Sequence, residues 1–128
     1  MLKAQGALGD AVEAHRHAVK LAPDNAEGHN NLGMALHAAG NTPEAEAALR
    51  RALVLLPAYA VARYNLCILL LETGRAGQVG ELCADAWLDG PMAGGLLACR
   101  AVAAGETGDV ATRDRLMDLC LLYTSDAA

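Results

Sequence analysis

One period governs this chain. Glycines at 6, 40, 74 and 108 recur every 34 residues, and prolines at 23, 57 and 91 keep the same step. Ala18, Ala52 and Ala86 repeat it, and Leu32 and Leu66 add a further pair. Gly, Pro and Ala each recurring in one register are hard to obtain by chance. A fixed period of this length marks a repeat architecture, in which each unit buries its apolar face against its neighbours.

The composition decides what the units are made of. Of 128 residues 28 are Ala and 21 are Leu, while Phe is absent. Small and unbranched residues favour helices. The β-branched and aromatic residues that fill strands are scarce, which argues against a sandwich or barrel. From Ala26 a helical pattern runs to about Ala39, with His29, Leu32, Gly33 and Leu36 on one face. Gly40 suits the left-handed position that ends such a helix. Thr42 is expected to cap the next helix, with Pro43 in its first turn and Glu44 and Glu46 at its positive end. That helix would bury Ala45, Leu49, Ala52 and Leu53, and Pro57 bars its continuation. The unit is therefore an antiparallel helix pair, with small residues at 33, 45 and 52 permitting a close crossing.

This pattern resembles the tetratricopeptide repeat. Leu32, Gly33, Leu36, Ala45, Leu49, Ala52 and Pro57 fall on that family's positions, with His29 in place of its usual aromatic. The next unit carries Leu66, Cys67, Leu70, Ala86 and Pro91, with Val79 and Cys83 as softer matches and Arg63 at the aromatic position. In the last unit Leu97, Ala101, Ala104, Gly108 and Met117 fit, but Arg100 stands where Leu belongs. The resemblance implies an all-α fold, a right-handed superhelical solenoid of antiparallel helix pairs with about seven helices. The string from Asn25 to Ala52 is most similar to the repeats of O-GlcNAc-transferase-like proteins.

The register divides the chain into a tetratricopeptide-like array over 1–119. Residues 1–25 are read as a truncated first repeat, 26–59 and 60–93 as full repeats and 94–119 as a degenerate one. With Gly6 as the turn, a helix such as Leu8 to Ala22 lacks the partner that should cover Val12 and Val19, so the chain is expected to be a fragment of a longer array. The string CLLYTSDAA at 120–128 resembles a translated sequencing-library adaptor and is expected to be a non-native tail.

Chemistry is thin on this sequence. Fifteen acidic against ten basic residues give a net charge of −5, with no basic footprint for nucleic acid and no polybasic membrane patch. No apolar stretch approaches the roughly 18 residues that a membrane span needs. His15 and His17 share a helix on different faces, and His29 and His37 lie two turns apart, so neither pair suits a metal. The GETG string at 105–108 lacks the Lys and Ser/Thr of a phosphate loop. Four cysteines at 67, 83, 99 and 120 form no CxxC pair. Cys67 and Cys83 occupy facing packing positions and read as core thiols rather than a disulfide. No catalytic residue, cofactor or metal site is expected, and free thiols suit a cytoplasmic setting.

The better signal is the face presented by the first helix of each unit, which in stacked repeats lines the concave surface. Asn31 and Asn65 share one position, 34 residues apart. Around them stand Glu27, Asn30, Met34 and His37 in one unit and Val61, Tyr64, Ile68 and Glu72 in the next. An amide carries a donor and an acceptor and can pair with both backbone groups of an extended peptide. The resemblance implies such a ladder of Asn along bound peptide, broken at Cys99. The expected function is a protein- or peptide-binding scaffold with candidate contacts at Asn31, Asn65, Met34, His37, Tyr64 and Ile68. The alternatives are the substrate-recognition arm of an O-GlcNAc-transferase-like enzyme, or an assembly adaptor that self-associates through uncovered ends.

Overall fold

The computed structural model describes residues 2–83 and 93–125, and every regular element among them is helical. In chain order these are α1 (Leu2–Leu21), α2 (Ala26–Ala38), α3 (Thr42–Leu55), α4 (Ala60–Glu72), a 3-10 turn (Ala76–Gln78), α5 (Val79–Leu82), α6 (Ala93–Glu106) and α7 (Val110–Ser125). The all-α class read from the 34-residue period is the one the chain adopts. Ala86 and Pro91, which carry that period in the sequence, lie outside the described residues, as does the end of the tail at 126–128.

The glycine period is a set of helix stops. Gly40, Gly74 and Gly108 have φ of +86°, +74° and +90°, a region that a side chain disfavours. At each stop two amides reach back to the helix end. Gly40 N–H donates to His37 and Asn41 N–H to Leu36; Gly74 and Arg75 donate to Leu71 and Leu70; Gly108 and Asp109 donate to Gly105 and Ala104. These are Schellman closures, which satisfy carbonyls that the helix itself leaves open. The residue before the glycine adds to this in two of the three. Thr73 Oγ1 donates to the Leu69 and Leu70 carbonyls, and Thr107 Oγ1 to those of Ala103 and Ala104.

Two expectations at helix ends are corrected. Gly6 shares the glycine period but is no stop, because α1 runs unbroken through it from Leu2 to Leu21. A reversal needs a helix face to fold back onto; a glycine permits the stop without imposing it, and here the helix continues at the modest propensity cost of an internal glycine. At the start of α3 the capping residue is Asn41 rather than Thr42, which is the first helical residue, and Asn41 makes no side-chain cap bond. Pro43 follows in the first turn, where its missing N–H costs nothing.

The first two prolines of the period sit in turns. Asn25 N–H donates to the Ala22 carbonyl across Pro23, and Tyr59 N–H donates to Leu56 across Pro57. Proline presets the backbone angle that the second residue of such a turn requires. After the first of these turns Asn25 caps α2, its side-chain oxygen accepting from Glu27 N–H at 3.1 Å.

The chain divides into two compact units, residues 1–62 and 63–128. In the first, α2 packs on α1 and on α3, with Leu32, Leu36, Ala45, Leu49 and Ala52 in the core. The α2–α3 crossing is tight because position 33 has no side chain: a Cβ there would lie 2.8 Å from Leu49 Cγ and 3.2 Å from the Ala45 carbonyl oxygen. Val12 on α1 is 7% exposed and Val19 half-buried, against 1% at Leu49. Arg16 on α1 reaches Glu44 on α3 at 2.5 Å, an exposed pair worth at most about 1 kcal/mol. In the second unit α6 packs on α7 and on the short α5, around Leu66, Leu69, Leu70, Val79, Leu96 and Leu97.

Candidate functional site

A helix that buries one face must present another. On α2 the exposed residues after the first turn are Asn31, Met34 and Ala38, aligned with Glu27 at steps of four, three and four. Such spacing keeps them on one strip. Leu32, Gly33 and Leu36, one to two residues away, fill the core side. Met34 is 46% exposed, a flexible apolar chain at the middle of the strip.

The same positions on α4 are Val61, Asn65, Ile68 and Glu72. Val61 and Glu72 are exposed, while Asn65 and Ile68 are half-buried. Asn65 is also engaged in an interaction within the chain. Tyr64 and His37, the remaining candidates, are half-buried as well. Asn30, grouped with the strip in the sequence, does not belong to it: it is only 5% exposed and has an interaction of its own within the fold. Neighbouring helical residues point about 100° apart, so Asn30 and Asn31 cannot both face outward. On α6 the corresponding residue is Cys99, which is buried.

The position that the resemblance assigns to an aromatic is polar in both repeats, and both side chains find a carbonyl. His29 Nε2 donates to the Pro23 carbonyl at 2.8 Å, which closes the turn before α2. Arg63, buried to 6% exposure, donates from Nη1 to the Leu82 carbonyl at 3.3 Å, tying α4 to the end of α5. Burial pulls the Arg63 guanidinium below its ordinary value, and the sulfurs of Cys67 and Cys83 oppose that pull.

Beside Arg63 lies a cluster the sequence reading saw only in part. Cys67, Cys83 and Cys99 are all free and buried, and the sulfurs of Cys67 and Cys83 lie 3.1 Å apart. Cys67 hydrogen-bonds with both neighbours, and those contacts, Cys83 first and then Cys99, together with burial push its thiol far above the ordinary value. Cys99, paired with Cys67, is held below it. The facing positions of 67 and 83 were legible from the repeat register. The arrival of Cys99 from the next helix pair was not, since its spacing to Cys67 signals nothing without the packing of α6.

Among the described residues no group of three or more His, Cys, Asp or Glu side chains is placed to hold a metal ion. No described helix is long and apolar enough to cross a membrane. Family models described as TPR repeat and tetratricopeptide repeat match residues 1–40, 26–59 and 60–88, which together take in residues 1–88. No curated protein matches the chain.

Proposed function

The chain belongs to the tetratricopeptide repeat family, whose repeats are generally non-catalytic protein-interaction scaffolds, and from that premise we propose that it binds an extended peptide through the outward strips of its first helices. Asn31 and Asn65 would bond peptide backbone, each amide offering one donor group and one acceptor. Met34 and His37 on α2, and Tyr64 and Ile68 on α4, would receive the peptide's side chains. One observation supports this reading above the rest. Of the four outward positions shared by α2 and α4, three differ between the repeats, as Glu27 against Val61, Met34 against Ile68 and Ala38 against Glu72. Only Asn recurs, exposed on α2 and half-buried on α4.

A random linear-peptide display library, panned against the full chain, supplies the probe. The dissociation constant of a selected peptide is then compared between the parent and the variant carrying Asn31→Ala and Asn65→Ala. Each lost hydrogen bond removes about 0.5–1.5 kcal/mol, so the double change weakens binding several-fold to tens-fold. An unchanged constant, or a library that yields no binder, would overturn the proposal.

A further inference from the structure

We propose that Cys67 and Cys83 form an oxidation site, closing a reversible intramolecular disulfide that staples α4 to the end of α5. The equivalent pair in the preceding repeat is Gly33 and Leu49. There Gly33 faces Leu49, and the glycine has no room for even a Cβ. One period later both residues are cysteine, so a side chain has been added on one helix and shortened on the other. Two medium side chains now fill the space of one large one, and their sulfurs meet at 3.1 Å. About 1 Å of approach separates that contact from a bond length of about 2.05 Å. Alanine or serine on either side would fill such a crossing without reactivity.

The surroundings favour reaction between these two sulfurs. Both are fully buried, so bulky thiols that would compete for a reactive sulfur are kept out. The thiolate is the reacting species, and because the facing thiols and burial hold Cys67 protonated, oxidation is slow and calls for prolonged exposure to peroxide. Burial restricts the oxidant to a small neutral molecule, and hydrogen peroxide is of that class. One thiolate of the pair attacks a peroxide oxygen, breaking the O–O bond; it becomes a sulfenic acid, and the departing hydroxide takes up a proton to leave as water. The second cysteine then attacks the sulfenic sulfur, giving up its proton, and the S–S bond forms as a second water leaves. Two thiols and one peroxide thus give one disulfide and two waters. A dithiol reductant reverses the step by exchange when the helix pair opens locally, so reduction is slow.

The test uses the full chain and needs no variant for its main readout. After prolonged exposure to hydrogen peroxide, peptide mapping by mass spectrometry without reduction should find residues 67 and 83 cross-linked, with the mass lower by two hydrogens. The cross-link closes a loop of 17 residues by the numbering, so the thermal midpoint should rise by about 10 °C and return on adding dithiothreitol. Cys83→Ser should abolish both effects, whereas Cys99→Ala should keep the cross-link. The proposal is overturned if Cys67 pairs with Cys99 instead, if Cys67 and Cys83 stay reduced while other cysteines oxidise, or if they pass to sulfinic acid without cross-linking.

Discussion

Replacing Gly33 by alanine should change sign with its background. Two terms compete at this site. A helix gains about 1 kcal/mol when an internal glycine becomes alanine. Against that stands the new Cβ, 2.8 Å from Leu49 Cγ, 3.0 Å from Leu49 Cδ2 and 3.2 Å from the Ala45 carbonyl oxygen. Cγ is the branch point of the side chain rather than its far end, and the carbonyl is backbone, so neither yields without moving α3. Overpacking of this kind costs about 1–3 kcal/mol, which leaves Gly33→Ala destabilising by about 1 kcal/mol in the parent chain. Leu49 is fully buried, so Leu49→Ala alone should cost about 2–5 kcal/mol. In that background the branch point is gone and the added methyl enters the space it leaves. Gly33→Ala should then stabilise by about 1 kcal/mol, and the double-mutant cycle should show coupling of about 2 kcal/mol. Urea unfolding of the four proteins, followed by circular dichroism, measures every term. If Gly33→Ala has the same sign in both backgrounds, the glycine is not there for the crossing and the argument from close approach fails.

Gly40→Ala forces a side chain into φ of +86° and should cost about 1–2 kcal/mol. Gly6→Ala, at the same place in the sequence period, should instead stabilise by up to about 1 kcal/mol, since Gly6 lies inside α1 with nothing near its Cβ position; thermal melts of the two variants separate the readings. Asp109 accepts from Thr112 N–H at 3.1 Å at the start of α7, and the Thr112 hydroxyl and amide together hold its carboxyl below the ordinary value. Its contribution to stability is therefore fully present above the ordinary aspartate range and is lost as pH falls through the lower folded value. Asp109→Asn, which keeps an oxygen acceptor, should flatten the acid side of the stability curve, as acid titration of helicity would read.

The turns were the most legible part of this chain, because a positive φ or a fixed proline angle is a property of single residues. Gly40, Gly74 and Gly108 closed their helices where the period placed them. Gly6 shows the limit of that logic: the residue permits a reversal, but only a helix face to fold onto rewards one. The Asn25 cap and the Thr73 and Thr107 hydroxyls follow local rules that the repeat pattern overshadowed. Within the candidate strip, the step of one residue between Asn30 and Asn31 separates a buried amide from an exposed one, and only the set of burial values along α2 decides which is which. Arg63 was visible as a departure from the aromatic position. Its role was not, since it depends on the Leu82 carbonyl and two sulfurs brought near it by the fold.

What each repeat retains, and what it exchanges, separates packing from presentation on the same helix. Leu32 and Leu66 recur, as do Leu36 and Leu70, and all four are buried; packing accounts for them. Gly33 with Leu49 gives way to Cys67 with Cys83 as a compensated pair, which packing also accounts for, because the space at the crossing is fixed while its division is not. The outward strip obeys no such volume rule, and three of its four positions vary freely between α2 and α4. Asn31 and Asn65 stand against that background. In the third unit the position is Cys99, and there it is buried against Cys67. An amide placed in that contact would lose water on two donors and an acceptor without assured partners, at a cost of about 1–3 kcal/mol, whereas a thiol loses little. The identity at this position thus follows its surroundings, amide where water or a ligand can reach and thiol where neither can. That is the pattern expected if the exposed Asn31 is kept for what it can bond outside the chain, whereas Asn65, half-buried, is already engaged within it.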